Sequence, residues 1–454
     1  MSSRTTVQPA ADVPAHTPPT ETRWSVSALV LFRFAFVYLV LYSLVPIGMS
    51  AQRTFHDQLL FPALDRFWAT LSVWTANHLV TDFNPRYLGS DSVVNYARSG
   101  LFLLIAVVAS IVWSLADRRR TQYSTLHEWL RLMVRMALAL TMVRYGIQKV
   151  MVVQMAPISP HHLIAPLGFY TPRQLLWAFM GASPGYEVFT GLVEVVGGAL
   201  LFVPRLTTFG ALLTVLAMTN VLALNVFYDV AVKFFSFHLL VMAGFLLLPD
   251  VPRLAALLLF NRGTERVERP TLFPWDRYAR FALAIPILFG IAVIGWTVST
   301  ERSIDLAVGQ AKPGGVPFYG IWDVEEFTVD GKLHPPLTTD EVRWQKVVID
   351  DRGYVSIQRM SGSLIWASTK IDLGRKTITF DHTGKPHPDL RELFGANWKA
   401  DFTFDNSSPE MLILTGRYDN RSAAIKLLKN HTRYFLSPHE GQWILRAGPA
   451  MPYL

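Results

Sequence analysis

The sequence predicts an α-helical integral membrane protein of about seven spans, followed by a C-terminal all-β antiparallel barrel or sandwich. Three observations carry that prediction. Apolar runs of about 20 residues, the length that crosses a hydrocarbon core, recur up to residue 298. Arg and Lys gather in the segments between those runs. From residue 318 onward the long runs give way to short stretches that alternate apolar and polar residues.

Composition narrows the classes. Of 454 residues, 51% are hydrophobic and 17% are charged, which argues against an ordinary soluble globule. The formal net charge of +8 raises nucleic acid as a partner, yet the basic residues flank apolar runs and form no soluble basic face, so no nucleic acid is expected. There is no cysteine, which excludes disulfides, thiol relays and Cys metal sites.

Residues 1–24 are rich in Pro, Thr, Ala and Ser and cannot offset the entropy of ordering, so they are expected to form a disordered cytoplasmic tail. Residues 25–128 hold two spans, 25–48 and 96–116, around an external segment whose Trp68, Trp74 and phenylalanines suit interfacial helices. The first span is too long for a signal-peptide core and lacks a cleavage pattern, so it is expected to stay as an anchor. Arg33 within it is expected to snorkel to the headgroups. The run Asp117-Arg118-Arg119-Arg120 places its loop, and with it the N-terminus, in the cytoplasm.

A third span, 130–153, runs outward, and the following segment to residue 184, with Pro157, Pro160, Pro166, Pro172 and Trp177, reads as external. Spans 186–203, 207–227 and 234–248 follow, with Arg205 at a cytoplasmic turn and 228–233 as an outer turn. Residues 251–299 supply a basic cytoplasmic loop with Arg253, Arg262, Arg266, Arg269, Arg277 and Arg280, then a last span over 281–298. Residues 300–454 then face the periplasm or the exterior of a bacterial-type inner (plasma) membrane.

The stretch 130–153, LRLMVRMALALTMVRYGIQKVMVV, is apolar enough to span yet carries Arg135, Arg144 and Lys149. A mid-bilayer Arg or Lys costs roughly 2.5–3.5 kcal/mol, so such residues face a bundle interior, a partner or a wet cavity. With a rise of about 1.5 Å per residue, Arg144, Glu194, Asn220 and His238 all fall roughly 10–12 Å below the outer surface. Gln148 shares the face of Arg144 at i+4, while Lys149, Asn225, Asp229 and Lys233 lie nearer the surface and suit an entrance. Glu194 and His238 are therefore the candidate catalytic, proton-carrying groups. Arg144, Gln148, Lys149, Asn220, Asn225, Asp229 and Lys233 are the candidate ligand-binding groups, and no metal site is expected.

Each also has a structural reading. Glu194 with Arg144 or Lys149 suits a buried ion pair that fixes packing. A lone membrane His is commonly a hydrogen-bonded packing residue, and Asp229 with Lys233 fits a helix-end salt bridge. Asn220 and Asn225 suit interhelical glue, and Gly197-Gly198 a close helix approach. His161-His162 lies in a Pro-rich loop without the carboxylate or spacing of a metalloprotease and reads as surface or interfacial.

Two of these helices share a pattern. Arg135 is followed by an apolar run into Tyr145-Gly146-Ile147-Gln148-Lys149, and Gly191-Leu192-Val193-Glu194-Val195-Val196-Gly197-Gly198 lies in the next span. These residues resemble the DoxX family of small four-helix membrane proteins, with an early Arg and late Gly-x-x-Lys in one helix and Glu-x-x-Gly-Gly in the next. Residues 129–250 are on that basis a DoxX-like four-helix membrane core. The resemblance, through the family's link to quinone-reducing subunits of the DoxD type, implies a redox-linked role with a quinone as candidate cofactor and a redox protein as candidate partner.

In the C-terminal domain, strands are predicted at 344–349, 354–359, 364–373, 377–380, 400–404, 411–418 and 423–428, separated by turns such as Asp330-Gly331 and Asp351-Arg352-Gly353. Gly320-Ile321-Trp322 resembles the Gly-x-Trp of lipocalin-like barrels, in which the Trp closes one end. A barrel of that kind can hold one small apolar molecule.

Two functions follow as expectations. The first is a quinone-associated or otherwise redox-linked membrane subunit with a polar site in the outer half of the bilayer. Without cysteine or a clear flavin, haem or iron–sulfur motif, its electrons would come from a partner or pass between bound substrates. The alternative is a non-catalytic binder of lipid or another apolar ligand through the β-domain. Whether the protein is an enzyme stays open at this point.

Overall fold

The computed structural model describes residues 23–44, 62–80, 90–155, 157–264, 279–308, 316–350, 354–382, 398–432 and 434. The tail at 1–22, the loop arginines Arg266, Arg269 and Arg277 and the turn at 351–353 lie outside the described residues. The chain divides into two units: Met1–Leu88, Ser92–Val134 and Glu265–Pro274 in one, and Gly89–Asp91, Arg135–Thr264 and Trp275–Leu454 in the other.

The first unit holds α1 (Val26–Leu44), α2 (Pro62–Leu79), α3 (Val93–Ala116) and the start of α4 (Ser124–Val150). The α1 and α3 helices are apolar enough that their chemistry is set by the few polar side chains they bury. Arg33 is the clearest. Instead of snorkelling, it is buried and donates to the Tyr123 hydroxyl at 2.9 and 3.1 Å, to Ser114 Oγ at 2.9 Å and to the Asp117 carbonyl at 2.9 Å. A guanidinium has five N–H donors in a fixed fork, and protein acceptors here take the place that headgroups were expected to fill. The segment read as interfacial contains α2, whose Ser72 and Ala76 are buried against α3, where Arg98 Nε donates to Ser72 Oγ at 3.1 Å.

The second unit contains the rest of α4, then α5 (Pro160–Ile164), α6 (Pro172–Gly181), α7 (Pro184–Phe202), α8 (Thr207–Phe227), α9 (Lys233–Leu247), α10 (Val251–Leu258) and α11 (Ala279–Val308). Pro at the first helical position starts α6 and α7, where a missing N–H costs nothing, and Thr171 with Gln174 caps α6 reciprocally. The α11 helix runs ten residues past the predicted end at Val298, and so takes in Glu301.

Six helical segments among the described residues are long and apolar enough to cross a membrane: α1, α3, α7, α8, α9 continued through α10, and α11. The seventh expected span, α4, is a helix of 27 residues but is set apart by its charges. It compensates with a buried stripe, Leu138, Ala139, Met142, Val143 and Ile147, and with glycines where it crosses α7. A Cβ at Gly146 would lie 2.7 Å from the Gly191 carbonyl oxygen, and one at Gly191 would lie 2.7 Å from that of Gly146, so only glycine lets these backbones touch. Gly198 meets Met142 of α4 and Gly197 meets Thr214 of α8, the close approach that the Gly-Gly pair predicted.

The C-terminal strands are β1 (Gly320–Val329), β2 (Lys332–Leu333), β3 (Trp344–Ile349), β4 (Tyr354–Arg359), β5 (Leu364–Asp372), β6 (Thr377–Asp381), β7 (Lys399–Ser408), β8 (Met411–Tyr418) and β9 (Arg421–Lys429). All neighbours pair antiparallel in sequence order apart from the short β2, and β9 pairs with β1, which closes eight strands into a barrel. Two-residue turns set the register at Asp330-Gly331 and Asp419-Asn420, where every turn residue has positive φ, as the twist of a tight hairpin requires. The interior is aromatic. Trp344 meets Phe327, Phe380, Trp398, Phe402 and Tyr418 at ring distances of 5.1 to 6.3 Å, and Trp322 closes off with its Nε1–H on the Phe318 carbonyl at 2.8 Å.

Candidate functional site

Helical periodicity places Arg144, Gln148 and Lys149 near the C-terminal end of α4, and the glycine crossing brings them against α7 and α11. Lys149 Nζ meets Glu194 Oε1 of α7 at 2.5 Å, with both side chains below a tenth exposed. Arg144 turns elsewhere: its Nε lies 3.9 Å from Glu301 Oε1 of α11, and Gln148 Nε2 donates to the same oxygen at 2.9 Å. The predicted i, i+4 face is therefore real, and its partner is a carboxylate that the sequence analysis places in the tail.

A third carboxylate, Glu187 of α7, is fully buried, and its Oε1 accepts the Met155 N–H at 3.0 Å. It lies seven residues from Glu194, roughly 10 Å along the same face of the helix. Neither Glu187 nor Glu301 was singled out from sequence. Both sit near span ends, where an acidic residue is ordinary; the one available signal was that Glu187 and Glu194 share a face at i, i+7 with Lys149 as a basic counterpart.

The remaining predicted residues take structural contacts. His238 is buried, with Nδ1 at 2.8 Å from the Phe234 carbonyl and its ring against Phe234 and Phe237. Asn225 Nδ2 donates to Ser236 Oγ at 3.0 Å and ties α8 to α9, which is the glue reading. Asp229 and Lys233 pair at 2.6 Å across the turn between them; Asp229 is exposed, and the Lys233 side-chain hydrogen bond and charge hold its carboxyl below the usual range. Asp91 accepts the N–H groups of Lys233 and Phe234 at 3.1 and 3.0 Å and so caps α9. Asn220 lies on an exposed face of α8 and is not brought to the Lys149–Glu194 pair. At the opposite end of the helices, Arg135 Nη1 donates to Thr207 Oγ1 at 3.2 Å.

The His161-His162 pair is not a free surface feature. His161 Nδ1 lies 3.0 Å from Asp350 Oδ2 at the end of β3, its ring packs edge-on to Trp366, and Gln358 Nε2 donates to the Ile164 carbonyl at 3.1 Å. These contacts fasten α5 to the barrel. Ser159 Oγ also lies 2.6 Å from His161 Nδ1. Serine and aspartate thus meet the same ring nitrogen, whereas a nucleophilic triad needs them on opposite nitrogens, so the group is a fastening and not a triad.

Fold and site together define a multi-pass helical membrane protein with a buried network of acids and bases among its helices and an eight-stranded barrel attached. No family model and no solved structure matches the chain. Over 117 residues it is 32% identical to the uncharacterized protein YwoB of Bacillus subtilis (strain 168), a stretch that makes up 26% of this chain and 73% of that protein. The chain belongs to the same family as that protein.

Proposed function

We propose that the protein is a redox-linked membrane subunit with a DoxX-like core, and that its helices bind a quinone or a molecule of like build, an apolar body with a polar head. The observation that carries this reading is the network of Lys149–Glu194 and Arg144–Gln148–Glu301, five polar side chains held among apolar spans. Costly groups gathered in one place suit a ligand whose carbonyl oxygens accept from ammonium and guanidinium donors while its tail lies among the helices. In this reading Arg144, Gln148 and Lys149 anchor the head and Glu194 exchanges protons with it. Electrons then come from a partner protein or a second bound substrate.

The network lies near the end of α4 from which the chain leads to the barrel-bound α5. Residues 151–183 leave from the end of α4 that carries Lys149, and α5 within them is fastened to the barrel. With the Arg-rich loops in the cytoplasm, that side is the periplasm or the exterior of a bacterial-type plasma membrane. The test is quinol oxidation or quinone reduction by full-length protein in lipid vesicles, followed by absorbance. Turnover that falls at least tenfold in Arg144→Gln supports the reading, and no turnover with any added quinone and electron donor ends it. The alternative, capture of an apolar ligand inside the barrel, gains less support, since Trp344, Phe327, Phe380 and Phe402 fill that interior.

A further inference from the structure

One carboxyl of the network, Glu187, forms no ion pair among the described residues. Arg144 and Lys149 bring two positive charges, while Glu187, Glu194 and Glu301 bring three negative ones. Arg144 and Gln148 hold Glu301, and Lys149 is committed to Glu194 at 2.5 Å. Glu187 is left with the Met155 N–H on Oε1, while Oε2 is buried with no hydrogen-bond partner among the described residues. Lys149 packs on α7 between the two glutamates: a Cβ at Gly191, four residues past Glu187 and three before Glu194, would lie 2.7 Å from Lys149 Cβ.

Among the described residues, the elements packed on α7 supply no other cation to it. The α8 helix has no charged residue, α6 carries Arg173, whose field falls on Asp229, and α11 carries Arg280 in its first turn, Glu301, the exposed Arg302 and Asp305. His161 and His162 of α5 are engaged with Ser159 and Asp350. An ionised carboxylate with an unmet oxygen is strongly disfavoured away from water, whereas the neutral acid gains an O–H that can donate.

We propose that Glu187 is a proton-binding site of the membrane domain. The carboxylate takes up one proton to become a neutral carboxylic acid, and no other bond forms or breaks. Lys149 links this site to Glu194, because both glutamates lie on one face of α7 with the ammonium acting on each. Drawing Lys149 away from the two glutamates removes positive charge from beside Glu187 and so favours its neutral, proton-bound form. The inference rests on the charge balance and burial of the network and requires no quinone.

The test is an infrared difference spectrum of full-length protein in lipid vesicles, between acid and alkaline buffer, in water and in deuterium oxide. A carboxylic-acid carbonyl band that shifts in deuterium oxide, is lost in Glu187→Gln and is unchanged when sodium is replaced by choline supports the proposal. With carboxyl-labelled glutamate, Glu187→Asp should keep a band of similar size while removing its isotope shift, which covers the case of a Glu187→Gln protein that does not fold. A band indifferent to both substitutions overturns the proposal. A band that appears only when sodium is withdrawn also overturns it, since a metal ion would then hold the place of the proton.

Discussion

Lys149 and Glu194 were legible because each lies in a largely apolar span, where a charge has no use but to meet another. Their choice of each other over Arg144 was not legible, since it depends on how α4 crosses α7. Removing one partner leaves a buried unpaired charge: Lys149→Met should destabilise the protein by about 3–5 kcal/mol, and adding Glu194→Met should recover most of that loss. Thermal unfolding in detergent measures both, and equal losses in the single and double variants would contradict the pairing. In the barrel, Asp340 accepts from the His334 ring at 2.7 Å and from the Val342 and Arg343 N–H groups at 2.8 and 2.9 Å. Desolvation pushes its carboxyl upward, but these hydrogen bonds outweigh that and hold it below the usual carboxylate range. A depressed folded value means stability that is present above the unfolded value and lost as pH falls through the folded one. Tryptophan fluorescence melts of the full-length protein should therefore lose less stability on acidification in Asp340→Asn than in wild type, and parallel losses would refute the assignment.

Among the elements, the glycine crossing of α4 and α7 is the most sensitive point. Gly146→Ala puts a methyl group 2.7 Å from a carbonyl oxygen and should cost on the order of 1–3 kcal/mol, whereas Gly100→Ala on α3 meets open space and should be neutral or gain up to about 1 kcal/mol of helix propensity. A comparison of the two melting curves decides, and equal effects would mean that the crossing is looser than described. Strands were readable from their alternation and their turns because side chains face in and out with a period of two. The glycine pairing between helices was half readable: Gly197-Gly198 announced a close approach, but the Gly146–Gly191 contact needs the crossing angle. Likewise α11 continues past its last apolar turn, since nothing in Ser299-Thr300-Glu301 stops a helix, and this is why Glu301 was assigned to the tail. Trp344, in contact with five other aromatic rings, anchors the barrel, and Trp344→Ala should cost about 3–5 kcal/mol through the cavity it leaves.

At the scale of the molecule, composition and loop charge were enough for a multi-span helical part and a β-domain, because both respond to the length and period of apolar runs. The fastening of the barrel to α5 through His161 and Asp350 was not, since the two residues lie 189 positions apart and neither is unusual in its own segment. The proposed function rests on the buried network being a place where something binds. The most direct measurement is a mass-spectrometric inventory of small molecules retained by the full-length protein in mild detergent, beside Glu194→Gln and Arg144→Gln. The wild type should carry a quinone, or another molecule with an apolar body and a carbonyl head, and both variants should lack it. An empty wild type, or a ligand kept by both variants, would contradict it and leave the charges as packing groups.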